Sequence, residues 1–134
     1  MPGAGSFDAN VLLRLLLDDV PNQHTAAVRL MESSETSFLV TDVAIIEVVF
    51  ALCRYYEFSR DAAAEAITGL MAQPKIDCSR ALFTSALRLF TGHPKLSFED
   101  CYLATYAELF DAQPLWTFDK KLASQAPSAR LVPM

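Results

Sequence analysis

Phe38-Leu39-Val40-Thr41-Asp42-Val43-Ala44-Ile45-Ile46-Glu47-Val48-Val49-Phe50-Ala51-Leu52-Cys53 contains the punctuation that decides the fold. Three apolar residues, Phe38–Val40, have the length of a short buried strand. Thr41-Asp42 follows, and then a segment to Tyr56 that is apolar on nearly every side, which predicts a buried helix. The same change of rhythm recurs along the chain. Ser6–Asp8, Lys75–Cys78, Leu115–Phe118 and Arg130–Val132 are the other candidate strands, although Gly5-Ser6 is a poor start for a central one. Helical spacing marks Val11–Leu17, Asn22–Ser33 with Pro21 at its start, Arg60–Met71, Arg80–Phe90 and Ser97–Phe110. Strands alternating with one or two helices predict an α/β domain around a mostly parallel sheet.

The chain has 134 residues, which predicts one domain over 1–134. Its 52 % hydrophobic content is enough to close a core and too high for a disordered chain. The longest apolar runs fall far short of the roughly 18 residues of a membrane span. Met1–Ser6 lacks the pattern of a signal peptide. The expectation is a soluble, cytoplasmic protein. Eleven basic against sixteen acidic residues leave a net charge of −5. Nucleic-acid binders usually carry a basic footprint, so this balance argues against one unless something neutralises the acids. Cys53, Cys78 and Cys101 are widely spaced, and His24 and His93 stand in no ligand motif. That pattern favours small buried thiols over structural zinc.

Four acids stand out of place. Asp8 and Asp119 follow apolar strands, Asp100 lies in the first turn of an apolar helix, and Glu47 interrupts the run quoted above. An ionised carboxylate in apolar company is costly unless paired, and basic residues are scarce beside Asp8, Glu47 and Asp100. Each acid also has a local use: Asp100 at a helix start capped by Ser97, Asp119 as cap of the Lys120–Ser124 turn, Asp8 in a turn with Asn10. Glu47 has none. Strand ends in a parallel sheet line one edge where ligands bind. Four carboxylates meeting there would suit Mg²⁺ or Mn²⁺, ions that activate water and neutralise phosphate.

At these residues the chain resembles a PIN domain, and most closely a VapC-type toxin ribonuclease of type II toxin–antitoxin pairs. The carrying motifs are Phe7-Asp8-Ala9-Asn10-Val11-Leu12-Leu13-Arg14, Thr41-Asp42-Val43-Ala44-Ile45-Ile46-Glu47, Ser97-Phe98-Glu99-Asp100-Cys101-Tyr102-Leu103-Ala104 and Leu115-Trp116-Thr117-Phe118-Asp119. The resemblance implies a three-layer α/β/α fold, a Mg²⁺- or Mn²⁺-dependent endoribonuclease, a homodimer and a cognate antitoxin. It also implies Asp8, Glu47, Asp100 and Asp119 as catalytic and metal-binding acids, with Asn10 orienting Asp8 and Thr117 lining the site. Ala9 stands where the family commonly has Thr or Ser, and Ser97 where many members have Asp. Arg14, Lys120 and Lys121 lie beside these motifs as candidate contacts to the RNA backbone, against the alternative of solvated surface charges. Tyr55, Tyr56, Phe58 and Tyr102 are candidates for the dimer contact. Two other functions compete: a haloacid-dehalogenase-like phosphatase, which wants a second Asp where Asn10 stands, and a catalytically inactive PIN-like module that only binds RNA or a partner.

Overall fold

The computed structural model describes residues 3–134 and divides into two compact units, Met1–Ser79 and Arg80–Met134. The first contains α1 (Ala9–Leu16), α2 (Pro21–Ser33), β1 (Phe38–Leu39), α3 (Asp42–Arg54), α4 (Arg60–Met71) and β2 (Ile76–Asp77). The second contains α5 (Arg80–Gly92), α6 (Phe98–Leu109), β3 (Leu115–Thr117), α7 (Lys120–Gln125) and β4 (Ala129–Leu131). The α/β class and the strand–helix alternation are as the sequence predicts.

In the first unit β1 and β2 pair in parallel, Phe38 opposite Ile76 and Leu39 opposite Asp77. Ser6 adds a parallel bridge to Leu39, the whole of the strand expected over Ser6–Asp8. The reason is visible one residue earlier. Gly5 has φ +124°, outside extended backbone, although its carbonyl still accepts from the Leu39 N–H. Phe7 is nonetheless anchored: it is buried and stacks on Phe38 with ring centroids 4.2 Å apart. With Phe7 turned inward, Asp8 falls on the outer side of the extended chain.

The helices explain themselves by their caps. Asp8, Thr41 and Ser59 accept the N–H groups of Val11, Ala44 and Ala62 at the starts of α1, α3 and α4. Pro21 opens α2. Leu12, Ile45, Val48, Val49, Leu52 and Ile67 are sealed in the core of this unit, each contributing about 1.5–3 kcal/mol by leaving water. One expectation fails here. α3 is not buried all round: Val43 is 64 % exposed, Phe50 is 53 % exposed, and Glu47 is exposed between them. Only the face carrying Ala44, Ile45, Val48, Val49 and Leu52 meets the core.

In the second unit β3 and β4 pair in parallel, with Leu115, Trp116 and Thr117 opposite Ala129, Arg130 and Leu131. α5 and α6 pack together through Leu82, Phe83, Ala86, Phe90, Phe98 and Cys101, all buried. The rings of Phe90 and Phe98 meet edge to face at 5.2 Å. Asp111, at φ 54°, turns the chain after α6, and the Ala112 N–H closes onto the Ala107 carbonyl. The strands of the two units are two separate parallel pairs rather than the one sheet expected. Of the cysteines, Cys101 is buried and Cys53 and Cys78 are half-buried, so full burial of all three is corrected. Among the described residues no helix is long and apolar enough to cross a membrane.

Candidate active site

Each of the four acids is placed by a buried neighbour. Asp8 follows the anchored Phe7, and its Oδ1 accepts the Val11 N–H at 2.9 Å. It therefore serves as the cap of α1, while Oδ2 has no protein donor among the described residues. Glu47 stands about 7.5 Å along α3 from Asp42 at 1.5 Å per residue, exposed and without a hydrogen bond or ion pair among the described residues. The premise that Glu47 is an acid enclosed in apolar surroundings is thus corrected. It is a solvated acid on an apolar helix face.

In the second unit Phe98 and Cys101 pin the first turn of α6 inward and leave Asp100 half-exposed between them. Ser97 caps this turn, its Oγ accepting the Asp100 N–H at 3.1 Å. Asp119 caps α7, its Oδ1 accepting the N–H groups of Lys121 at 2.8 Å and Leu122 at 3.3 Å. Thr117 Oγ1 in turn accepts the Asp119 N–H at 2.9 Å and fixes the turn in which the carboxylate stands. α6 packs on β3 and is joined to it by the short connection at 110–114.

The local uses foreseen for Asp100 and Asp119 are real, Asp8 caps α1 instead of standing in a turn with Asn10, and none of these uses consumes a whole carboxylate. No ion pair involves any of the four acids among the described residues. A set of hard oxygens without cationic partners has the chemistry that Mg²⁺ or Mn²⁺ requires. Among the described residues no group of three or more His, Cys, Asp or Glu side chains is gathered tightly enough to hold a metal ion. Mg²⁺ is commonly held by one or two carboxylates, with water and substrate phosphate completing its shell.

The supporting residues divide. Thr117 touches Asp119 as described. Asn10 is exposed and makes no hydrogen bond to Asp8 among the described residues; the Val11 N–H holds that carboxylate instead. Arg14 is neither a solvated charge nor open for RNA. Its side chain is 14 % exposed, with Nη1 3.1 Å from Asp19 Oδ1 and Nη2 donating to Tyr56 Oη at 2.9 Å. Tyr56 Oη donates onward to Asp19 Oδ2 at 3.1 Å, closing a triangle that ties α1 to the end of α3. The periodicity of α1 offers no sign of this clamp, because Tyr56 lies 42 residues from Arg14. Ser79 Oγ likewise donates to Asp42 Oδ1 at 3.0 Å beside the end of β2. Tyr55 is exposed, whereas Tyr102 stacks on Phe83 at 5.7 Å within its own unit.

Asp119 thus follows the parallel strand β3, Asp100 stands in the first turn of α6, Asp8 caps α1 and Glu47 lies within α3. The PIN domain model matches residues 7–126, nearly the whole chain, and the protein belongs to the PIN domain family. PIN domains are commonly metal-dependent nucleases. Among curated proteins none gives a significant match.

Proposed function

We propose that the protein is a Mg²⁺- or Mn²⁺-dependent endoribonuclease and the toxin of a toxin–antitoxin pair, acting in the cytoplasm. Asp8, Glu47, Asp100 and Asp119 are its catalytic acids and metal ligands. One observation carries the reading: at all four motif positions a carboxylate reaches solvent, keeps an oxygen without a protein donor, and lacks a cationic partner among the described residues. The family match over residues 7–126 includes all four positions and supports this reading. It favours the nuclease over the phosphatase alternative.

A bound dication supplies Lewis acidity toward water and phosphate and cancels negative charge where RNA must approach. The chain's own part is positional. The Val11 N–H holds Asp8 through Oδ1, and the Lys121 and Leu122 N–H groups hold Asp119 through Oδ1. The second oxygen of each is thereby presented in a fixed orientation. Thr117 locks the Asp119 turn. Glu47, without a partner, is suited to accept a proton from the attacking water. Asp100 supplies further negative charge from a turn rigidified by Ser97.

The antitoxin is proposed to cover the groove of about 300 Å³ between α1 and α2, lined by Val11, Ala26, Ala27 and Leu30. The exposed Val43 and Phe50 of α3 extend the apolar surface available to it. A homodimer is proposed with Tyr55 as one of its contacts.

The test is cleavage of single-stranded RNA with Mg²⁺ or Mn²⁺, with chelator, and with Asp100→Asn. Activity should vanish in chelator and fall at least a hundredfold in the variant, with an unchanged melting curve. Full cleavage in either arm overturns the reading. Growth arrest on expression, relieved by a cognate antitoxin, tests the toxin role.

A further inference from the structure

Two of the largest exposed apolar side chains stand together in sequence just before Asp119. Trp116 is 52 % exposed and Phe118 is 70 % exposed, while Leu115 and Thr117 between and before them are half-buried. Trp116 is the protein's one tryptophan. Neither ring stacks on another aromatic among the described residues. Leaving such rings in water forfeits the burial that would otherwise stabilise the fold.

Their surroundings state what kind of ligand would meet them. Arg130 is the register partner of Trp116 on β4, so the two side chains leave the parallel pair on the same side, side by side. Arg130 is exposed, as are Lys120 and Lys121, which follow Phe118 by two and three residues. None of the three cations forms an ion pair among the described residues. In a chain of net charge −5, this stretch of the second unit gathers three cations against the single acid Asp119. Exposed aromatic rings interleaved with unpaired cations match single-stranded nucleic acid, whose bases offer flat π faces and whose backbone offers phosphates. A purely apolar protein partner would leave those cations desolvated without compensation.

We propose that Trp116 and Phe118 are a stacking platform for bases of single-stranded RNA, with Arg130, Lys120 and Lys121 holding its phosphates. The platform deepens the ribonuclease reading and takes the identity of its ligand from it. It places bases next to the Asp119 turn, and it selects unpaired RNA, because the bases of a duplex are already stacked on one another.

Trp116 is its own reporter. Titrating an oligouridylate octamer into the metal-free protein at low salt should quench Trp116 emission to saturation. Phe118→Ala should weaken that binding by about five- to tenfold, Phe118→Tyr should restore it, and Lys120→Ala with Lys121→Ala should flatten its salt dependence. Phe118 is exposed enough that its alanine variant should melt like the wild type. The platform is overturned by any of three results: no octamer binding, binding seen by polarisation of a labelled octamer with silent Trp116 emission, or unchanged affinity in Phe118→Ala. It is equally overturned if Trp116→Ala splits a dimer of this chain and leaves octamer affinity intact. Cleavage of RNA with a silent Trp116 would remove the platform and spare the nuclease. Quenching with weakened binding in Phe118→Ala, but no cleavage by the wild type, would do the reverse.

Discussion

Asp8 has two jobs that a substitution can separate. Its Oδ1 caps α1, and its charge belongs to the proposed catalytic set. Asn caps helices about as well as Asp, whereas Ala costs about 1 kcal/mol. Asp8→Asn should therefore keep the urea midpoint while abolishing cleavage, and Asp8→Ala should lower both. The same contrast holds at Asp119, whose Oδ1 accepts two N–H groups. Cys53 offers a different handle. Burial pushes its thiol pKa up, with Arg60 nearby pulling weakly the other way. A raised folded-state pKa favours the neutral thiol, so its contribution to stability is complete below the pKa of the unfolded chain. That contribution is lost as pH rises through the folded value. Alkylation at pH 8 should accordingly be slower in the native protein than in urea. At this scale the sequence shows the local settings of Asp8, Asp100 and Asp119, because an acid after an apolar run or at a helix start is conspicuous. The enclosure of Glu47 was misread: composition shows that α3 is apolar, but only packing shows which face meets nothing.

The elements were the most legible level. α4 begins and ends where its spacing predicts, and α2 starts at Pro21 as its fixed φ demands. α7 was foreseen only as the turn capped by Asp119 and proves to be a six-residue helix. The weakest expectation was the first strand, reduced to one bridge by the positive φ of Gly5. Long-range ties were invisible, since periodicity carries no information about partners far along the chain. The Arg14–Tyr56–Asp19 triangle is the leading case, with Arg14 and Tyr56 42 residues apart. It joins α1, which carries the Asp8 cap, to the residues ending α3. Removing the hydroxyl with Tyr56→Phe breaks a bond to each charged partner and should cost about 1.5–3 kcal/mol by urea denaturation. RNA cleavage at saturating substrate should stay near the wild-type rate if the clamp serves the fold alone.

For the molecule as a whole, the acidic balance remains the main constraint on any RNA-binding role. RNA binding should strengthen on adding Mg²⁺ and weaken with added KCl, measured by polarisation at constant ionic strength in the first case. Family membership spans residues 7–126 and so gathers acids from both compact units under one description, although each unit has its own core. Val43, Phe50 and Tyr55 leave α3 with an uncovered greasy strip, interrupted on that side by Glu47. That carboxylate is then more than a chemical group: a charge that breaks an exposed apolar run is the pattern that limits aggregation beyond any specific contact. Deleting it for an enzymatic control would join the strip into one sticky patch. Glu47→Gln, polar and equal in length, is therefore the cleaner probe, and the light scattering of Glu47→Leu should climb with protein concentration while that of Glu47→Gln stays flat.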